Sequence, residues 1–271
     1  MPEPAPPSST PARAAADQST VLGKIMLVLQ SFTLDDATLG FAELGRRTGL
    51  SKGTLHRVLA DMTTARLIDR VDAGYRLGGY LFELGMRASV ERSLIEVAIP
   101  FMEDLYVRTG ETVHLGVLDG AEVVYLSKIG GHRQAVAPSR LGGRMPLHCT
   151  AIGKTLLAFG GDELQQSVLA GPLERKTKHT VVTAGVLRSR LDGIVADGLA
   201  YEFEESALGV VCVSAPIRQG GQVVAALSLT GPSHRFRPQA QAGPVRAAAE
   251  NIGHALTRRD ELRATVSHDS R

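Results

Sequence analysis

The chain has 271 residues, 44% of them hydrophobic, with 30 Lys and Arg against 28 Asp and Glu and a pI of about 8.6. That length holds two cores of ordinary domain size, and so mild a basic balance excludes a histone-like polycation while leaving room for a local basic patch. Two cysteines argue against a disulfide-built secreted scaffold, and 4% aromatic residues with no Trp argue against the stacking platform of a single-strand binder.

Residues 1–17, rich in Pro, Ala and Ser without periodicity, read as a disordered arm with no apolar signal-peptide core. No run approaches the roughly 20 apolar residues of a membrane helix, so a soluble cytoplasmic protein with no membrane partner is expected. Val21, Ile25, Val28, Leu29 and Phe32 recur at helical spacing, which predicts a helix over Thr20–Phe32. A polar interruption at Thr33–Thr38 follows. Phe41, Leu44 and Leu50 then mark a short second helix ending at Thr48-Gly49, where Gly49 suits the left-handed closing position. Ser51 is placed to cap a third helix whose Leu55, Val58, Leu59 and Met62 fall on one stripe. Two extended runs, Leu67–Val71 and Tyr75–Leu77, flank Asp72-Ala73-Gly74 as a hairpin. This order is that of a winged helix-turn-helix.

Helical spacing resumes over Gly79–Arg92, read as a linker helix, with a further helix over Ser93–Arg108. Strands are predicted at Thr112–Leu118 and Glu122–Ile129 around an Asp119-Gly120 turn, and at Leu199–Glu204, Val210–Ile217 and Val223–Thr230. Helices are predicted at Thr150–Phe159, Asp162–Leu169, Ala184–Gly198 and Pro238–Arg259. The fold class is therefore α+β, with antiparallel strands and helices packed on them. The division is residues 1–17 as an arm, 18–78 as the DNA-binding domain, 79–92 as the linker, 93–262 as a second domain and 263–271 as a tail.

From Arg46 to Arg57 there are four Lys or Arg residues and one His, and no acid. With the third helix's apolar stripe inward, Lys52, Gly53, His56 and Arg57 face outward and Thr54 lies at the boundary. Lys and Arg can donate to guanine or to phosphate, and Thr and His can contact either. Ser51 sits at the start of that helix, Arg46 and Arg47 are placed for phosphate, and Arg70 and Arg76 sit on the wing. A basic helix is more often plain solvated surface; the helix order and the hairpin are what favour double-stranded operator DNA as the partner.

The start of the helix at Thr150 has the makings of an anion site. Thr150 or Cys149 can cap it, and the N–H groups of Ala151, Ile152 and Gly153 point outward without intrahelical partners. Leu141 and Met145, on the approach, are candidate apolar walls. Arg133 and Arg140 are candidates to pair with an acidic ligand, though such residues are more often exposed. Lys154 reads as structural.

Catalysis has little support. Cys149 or Cys212 with His148, His114 or His179 are the available nucleophile pairs, and none has an orienting third group. His114 and His148 with the cysteines are too scattered to recommend zinc. There is no GxGxxG after a strand, no P-loop and no HExxH, so neither enzyme activity nor a cofactor is expected.

Four stretches also carry a resemblance. Residues 41–59, FAELGRRTGLSKGTLHRVL, resemble the DNA-binding helices of the IclR family of bacterial regulators. Tyr75-Arg76-Leu77-Gly78 with Leu84-Gly85 resembles its wing and linker. Leu147 to Lys154 (LHCTAIGK) and Glu204-Glu205 leading to Gly209–Ile217 (GVVCVSAPI), with Ser228–Pro232 downstream, resemble motifs of its second domain. Together they cover about residues 20–262. The resemblance implies a GAF-like effector domain, homodimers or dimers of dimers, and control of nearby catabolic genes. It also implies a ligand between the sheet and the helix opened at Thr150, adding Glu205, Cys212 and Ser228 to the effector residues. Cys212 has an equal plain reading as a small buried core residue, and Glu202 and Glu204 rival Glu205. The expected effector is a small organic acid, aromatic acids included. Two departures stand out: Thr64-Ala65-Arg66 lacks the family's closing glycine, and Gly53 stands where a small DNA-facing side chain is usual.

Overall fold

The computed structural model describes residues 19–33, 35–87, 89–130, 135 and 137–269, with side chains undescribed for 89–91 and 263–269. The predicted arm lies outside the described residues. The chain forms two compact units that divide between Arg92 and Ser93.

The first unit opens with α1 (Val21–Ser31), capped by the Thr20 hydroxyl, which accepts from the Gly23 N–H at 2.9 Å. Next come α2 (Phe41–Thr48), closed by Gly49 at φ +68°, and α3 (Lys52–Thr64), capped by Ser51. Val28, Leu44, Leu55, Leu59, Met62 and Ile68 form the core, so the apolar stripe of α3 faces inward as its spacing requires. Strands β1 (Ile68–Val71) and β2 (Gly74–Leu77) pair antiparallel as the wing. Leu39 extends that hairpin by two backbone hydrogen bonds to Tyr75, at 2.8 and 2.9 Å. A Cβ on Gly74, at φ +133°, would lie 2.3 Å from the Leu39 carbonyl oxygen, so only glycine fits there.

The missing closing glycine of α3 has a concrete outcome. The Leu67 N–H donates to the Met62 carbonyl and the Arg66 N–H to the Thr63 carbonyl, the paired bonds of a Schellman close. Arg66 takes the left-handed position at φ +58°, a cost of about 1 kcal/mol for a side chain with a Cβ.

The single linker helix expected over Gly79–Arg92 is two pieces. Helix α4 (Gly79–Gly85) stops at a glycine, and a tight turn from the Arg87 N–H to the Leu84 carbonyl closes it. Helix α5 (Ser89–Thr109) then starts four residues before the Ser93 expected.

The second unit is built on one antiparallel sheet, in the order β5-β4-β3-β8-β7-β6. Its strands are β3 (Thr112–Asp119), β4 (Glu122–Ile129), β5 (Arg144–Pro146), β6 (Ala200–Phe203), β7 (Val210–Gln219) and β8 (Gln222–Pro232). Alternation along β8 separates the two faces: Ala225 and Leu227 pack with α5 and α9 (Ala242–Asp269), while Ala226 packs with α6 (Ala151–Phe159) and α8 (Ala184–Asp197). Helix α7 (Asp162–Ala170) adds Leu164, Val168 and Leu169 to that second layer.

Strand ends shift by one or two residues from those expected, and larger differences occur at three places. Strand β5 was not foreseen, since three residues ending in Pro146 carry no alternation. Pro238 opens a short 3-10 turn (Pro238–Gln241), and the α-helix begins at Ala242. That helix continues past Arg259 to Asp269, through the segment expected as a tail.

Candidate functional site

The basic cluster of the first unit divides into committed and uncommitted cations. Arg47, its side chain 26% exposed, donates to Asp36 at 2.5 and 3.1 Å, to Glu43 at 2.6 Å and to the Ser31 carbonyl at 2.8 Å. It therefore ties α2 to the end of α1 rather than waiting for phosphate. Arg46 is 72% exposed but pairs with Glu43 through two nitrogens. These guanidinium bonds hold the Glu43 carboxyl down to about 2, and the bonds from Arg47 and then Thr33 hold Asp36 well below the usual carboxylate range. Arg76 pairs with Asp69 across the hairpin at 3.0 Å, and Arg70 is exposed on β1.

On α3 the division falls the other way. Lys52, Gly53, His56 and Arg57 are exposed and Thr54 is at the boundary, as the stripe predicted. Among the described residues neither Lys52 nor Arg57 belongs to an ion pair. Ser51 is occupied as the cap: its oxygen accepts from the Thr54 N–H at 3.4 Å and its hydroxyl donates to Thr54 at 2.9 Å. Among the described residues, the cations of this exposed face outside any ion pair are thus Lys52 and Arg57.

In the second unit, a cavity lies between the start of α6 and the sheet. Thr150, Ala151, Ile152, Met145, Cys212 and Ser228 all line it, so six of the eight named effector residues come together. The Thr150 hydroxyl caps α6, accepting from the Gly153 N–H at 2.9 Å. A Cβ on Gly153 would lie 2.5 Å from the Leu147 carbonyl, which is why the motif needs glycine there. The enclosed space is about 20 Å³, close to what one water needs.

Two named residues do not join the cavity. Leu141 is 60% exposed on a turn, because Gly142 at φ +69° carries the chain back to β4 there. Glu205 does not line the cavity; its Oε1 receives Lys154 Nζ at 2.5 Å and Arg190 at 2.9 Å. Lys154 is 1% exposed, and this pair is its structural role. The acidic side chain that faces the cavity is Glu202, Glu205's rival, while Glu204 at φ +56° shapes the β6–β7 turn by accepting from the Gly209 N–H at 2.6 Å. Arg140 is exposed and Arg133 lies outside the described residues.

The rest of the lining, His114, Tyr125, Ala137, Pro138, Ser139, Ser206, Val210 and Thr230, lies outside the residues expected to hold the effector. Strand pairing places His114 opposite Ser228 and Glu202 opposite Cys212, so the signal lay in the register, which spacing alone does not carry. His114 Nε2 lies 2.7 Å from the Ser139 hydroxyl and its Nδ1 3.3 Å from that of Thr230. Burial, aided by the Lys128 cation, pulls its pKa down to about 3, so the ring is neutral. Burial, aided by Glu202, pushes the Cys149 thiol up to about 12, and burial raises Cys212 as well.

Residues 86–254 match the family model of the bacterial transcriptional regulator IclR C-terminal domain, and residues 21–72 match that of the IclR helix-turn-helix domain. Among curated proteins, the chain is 35% identical over 239 residues to the HTH-type transcriptional regulator XynR of Escherichia coli K12, covering 87% of this chain and 94% of that regulator. It is 35% identical over 241 residues to the regulator KdgR of the same organism, covering 86% and 91%. Among solved structures, an IclR homolog from Microbacterium hydrocarbonoxydans complexed with 4-hydroxybenzoate superposes with a TM-score of 0.84 at 32% identity, covering 88% of this chain and 99% of that one. The Thermotoga maritima IclR gives a TM-score of 0.71 at 29% identity, covering 87% and 98%.

Proposed function

The chain belongs to the IclR family of bacterial transcriptional regulators, and we propose that its α3 reads operator DNA under the control of a small organic acid held at the start of α6. It is a DNA-binding regulator with a C-terminal effector-binding domain. The observation that carries the effector reading is the capped start of α6 over a cavity whose other walls offer hydroxyls from Ser139, Ser206, Ser228 and Thr230. Backbone N–H groups there favour a carboxylate, and the related structure with 4-hydroxybenzoate binds one such acid.

On the DNA side, Lys52 and Arg57 are assigned to bases or phosphates, with Thr54 and His56 beside them, and Arg46 and Arg76 at the periphery. A homodimer, or a dimer of dimers, would set two α3 helices on half-sites spaced by whole helical turns. The protein would act in the cytoplasm, with residues 18–78 binding DNA and 93–262 serving the effector and assembly. The acid changes operator affinity only if it binds one arrangement of the two units better than another.

Binding rather than catalysis is the reading the buried groups favour. The Ser139–His114 pair has the look of a nucleophile and its base, yet His114 Nδ1 meets a threonine and so low a pKa makes the ring a poor proton acceptor. Cysteines held as thiols by burial are equally poor nucleophiles.

Calorimetry of the full chain against a panel of aliphatic and aromatic carboxylic acids tests the effector assignment. One acid should bind the native protein and lose most of its affinity in Thr150→Val. Failure of every acid would favour a domain used only for assembly.

A further inference from the structure

We propose that Glu202 stands in the cavity as a neutral acid, a hydrogen-bond donor that admits a carboxylate effector where none of the described lining residues is a cation. The part that concerns the effector rests on the organic-acid reading above. The state of Glu202 itself does not.

Glu202 sits on β6 at 2% exposure, with its carboxyl in the cavity wall. Its Oε1 accepts from both the backbone N–H of Ser206, at 2.9 Å, and the Ser206 hydroxyl. The Cys212 thiol, opposite it in the β6–β7 register, donates to it from the other side. Beyond that, the Thr230 hydroxyl donates to Cys212 Sγ at 3.1 Å and neighbours His114, which neighbours Ser139. A chain of polar side chains thus crosses the cavity from Ser139 to Ser206. Its members His114, Thr230 and Cys212 both donate and accept, so it can run in either direction and does not require an anion at its end.

Among the described residues, the titratable and charged groups around Glu202 come from several elements packed on it. They are His114 of β3, Tyr125 of β4, Cys149 just before α6, Lys154 of α6, Cys212 of β7 and Glu205 of the β6–β7 turn. His114 is neutral and the two thiols are protonated. Lys154 is the single cation in that set, and its Nζ is already on Glu205, which Arg190 of α8 also holds. Among the described residues that line the cavity there is no Lys or Arg. An ionised Glu202 would therefore meet an arriving carboxylate as a second anion with no cation among the described lining residues to offset either, and two such groups share a proton instead. The donors from Ser206 and Cys212 and the charge of Lys154 pull the carboxyl toward ionisation. Burial opposes them, outweighs them and sets the direction upward.

The consequence is proton-linked binding. Affinity for an anionic acid stays level at low pH and falls by about tenfold per pH unit once Glu202 loses its proton. Glu202→Gln keeps the shape and a donor but has no proton to lose, so its affinity is level throughout.

Infrared difference spectroscopy on the full chain, without any effector, tests the state of Glu202 directly. Native minus Glu202→Gln, at about pH 7, should show the carbonyl stretch of a protonated carboxylic acid. Loss of only a carboxylate band in the variant would overturn the proposal. Should the variant fold poorly, a pH series on the native protein serves instead: an acid band that converts to carboxylate as pH rises supports the proposal, and its absence at neutral pH overturns it. Because no acid needs to bind, a failed effector panel sinks the organic-acid reading without touching this result.

Discussion

Helix α3 opens on Ser51 and helix α6 on Thr150, each hydroxyl accepting from the N–H three residues along, at 3.4 Å and 2.9 Å. Each first turn also holds a glycine and a lysine nearby: Gly53 and Lys52 in one, Gly153 and Lys154 in the other. In α3 those residues face solvent, and nothing lies within 4 Å of where a Gly53 Cβ would go. In α6 every residue from Ala151 to Ala158 is buried, and both the glycine and the lysine are hemmed in. The same local grammar therefore serves two ends. Exposed, it presents donors to a large polyanion; buried, it frames a small cavity and its lysine becomes a strut.

The comparison can be broken at the lysines first. Lys154→Ala leaves Glu205 buried with only the half-exposed Arg190 on one oxygen, and should cost about 3–5 kcal/mol of stability by urea unfolding. Lys52→Ala should cost less than about 0.5 kcal/mol; equal losses would erase the distinction. Gly153→Ala comes next. Its Cβ meets backbone as well as side chain, so a loss of about 1–3 kcal/mol is expected in the same unfolding measurement, together with weaker effector binding. Arg57→Ala should leave unfolding alone and weaken operator binding by about 1–3 kcal/mol in fluorescence anisotropy, with a shallower salt dependence if its contact is to phosphate. The smallest effect belongs to Gly53→Ala. Relief of an exposed helical glycine should raise stability by about 0.5–1 kcal/mol, and a thermal melt that moved down would show the site is not open.

Most of the first unit was legible because its helices are amphipathic. Leu55, Val58, Leu59 and Met62 fixed the face of α3, and that face in turn fixed Lys52 and Arg57 as outward. What the pattern could not show was which cations were already spent. Arg47 is bound to Asp36, eleven residues earlier, through a turn whose geometry no spacing rule supplies. In the second unit the capped start of α6 was readable from Thr150 and its small neighbours, and so were Cys212 and Ser228 from their motifs. Choosing Glu202 over Glu205 required the pleat. On β6 the acidic side chain opposite Cys212 faces the cavity, and Glu205 lies past the strand's end, in the turn to β7, where Lys154 of α6 reaches it. Lys154 called for no cation-binding partner in sequence either; Glu205 stands 51 residues away.

The decisive measurement is a gel shift of the full-length protein on its own upstream intergenic DNA, with and without each acid of the panel. A regulator of this kind gives a specific shift that survives competitor DNA, is weakened in Arg57→Ala and is altered by one acid. A protein that binds no DNA specifically, or whose shift is indifferent to Arg57 and to every acid, would contradict the proposed function.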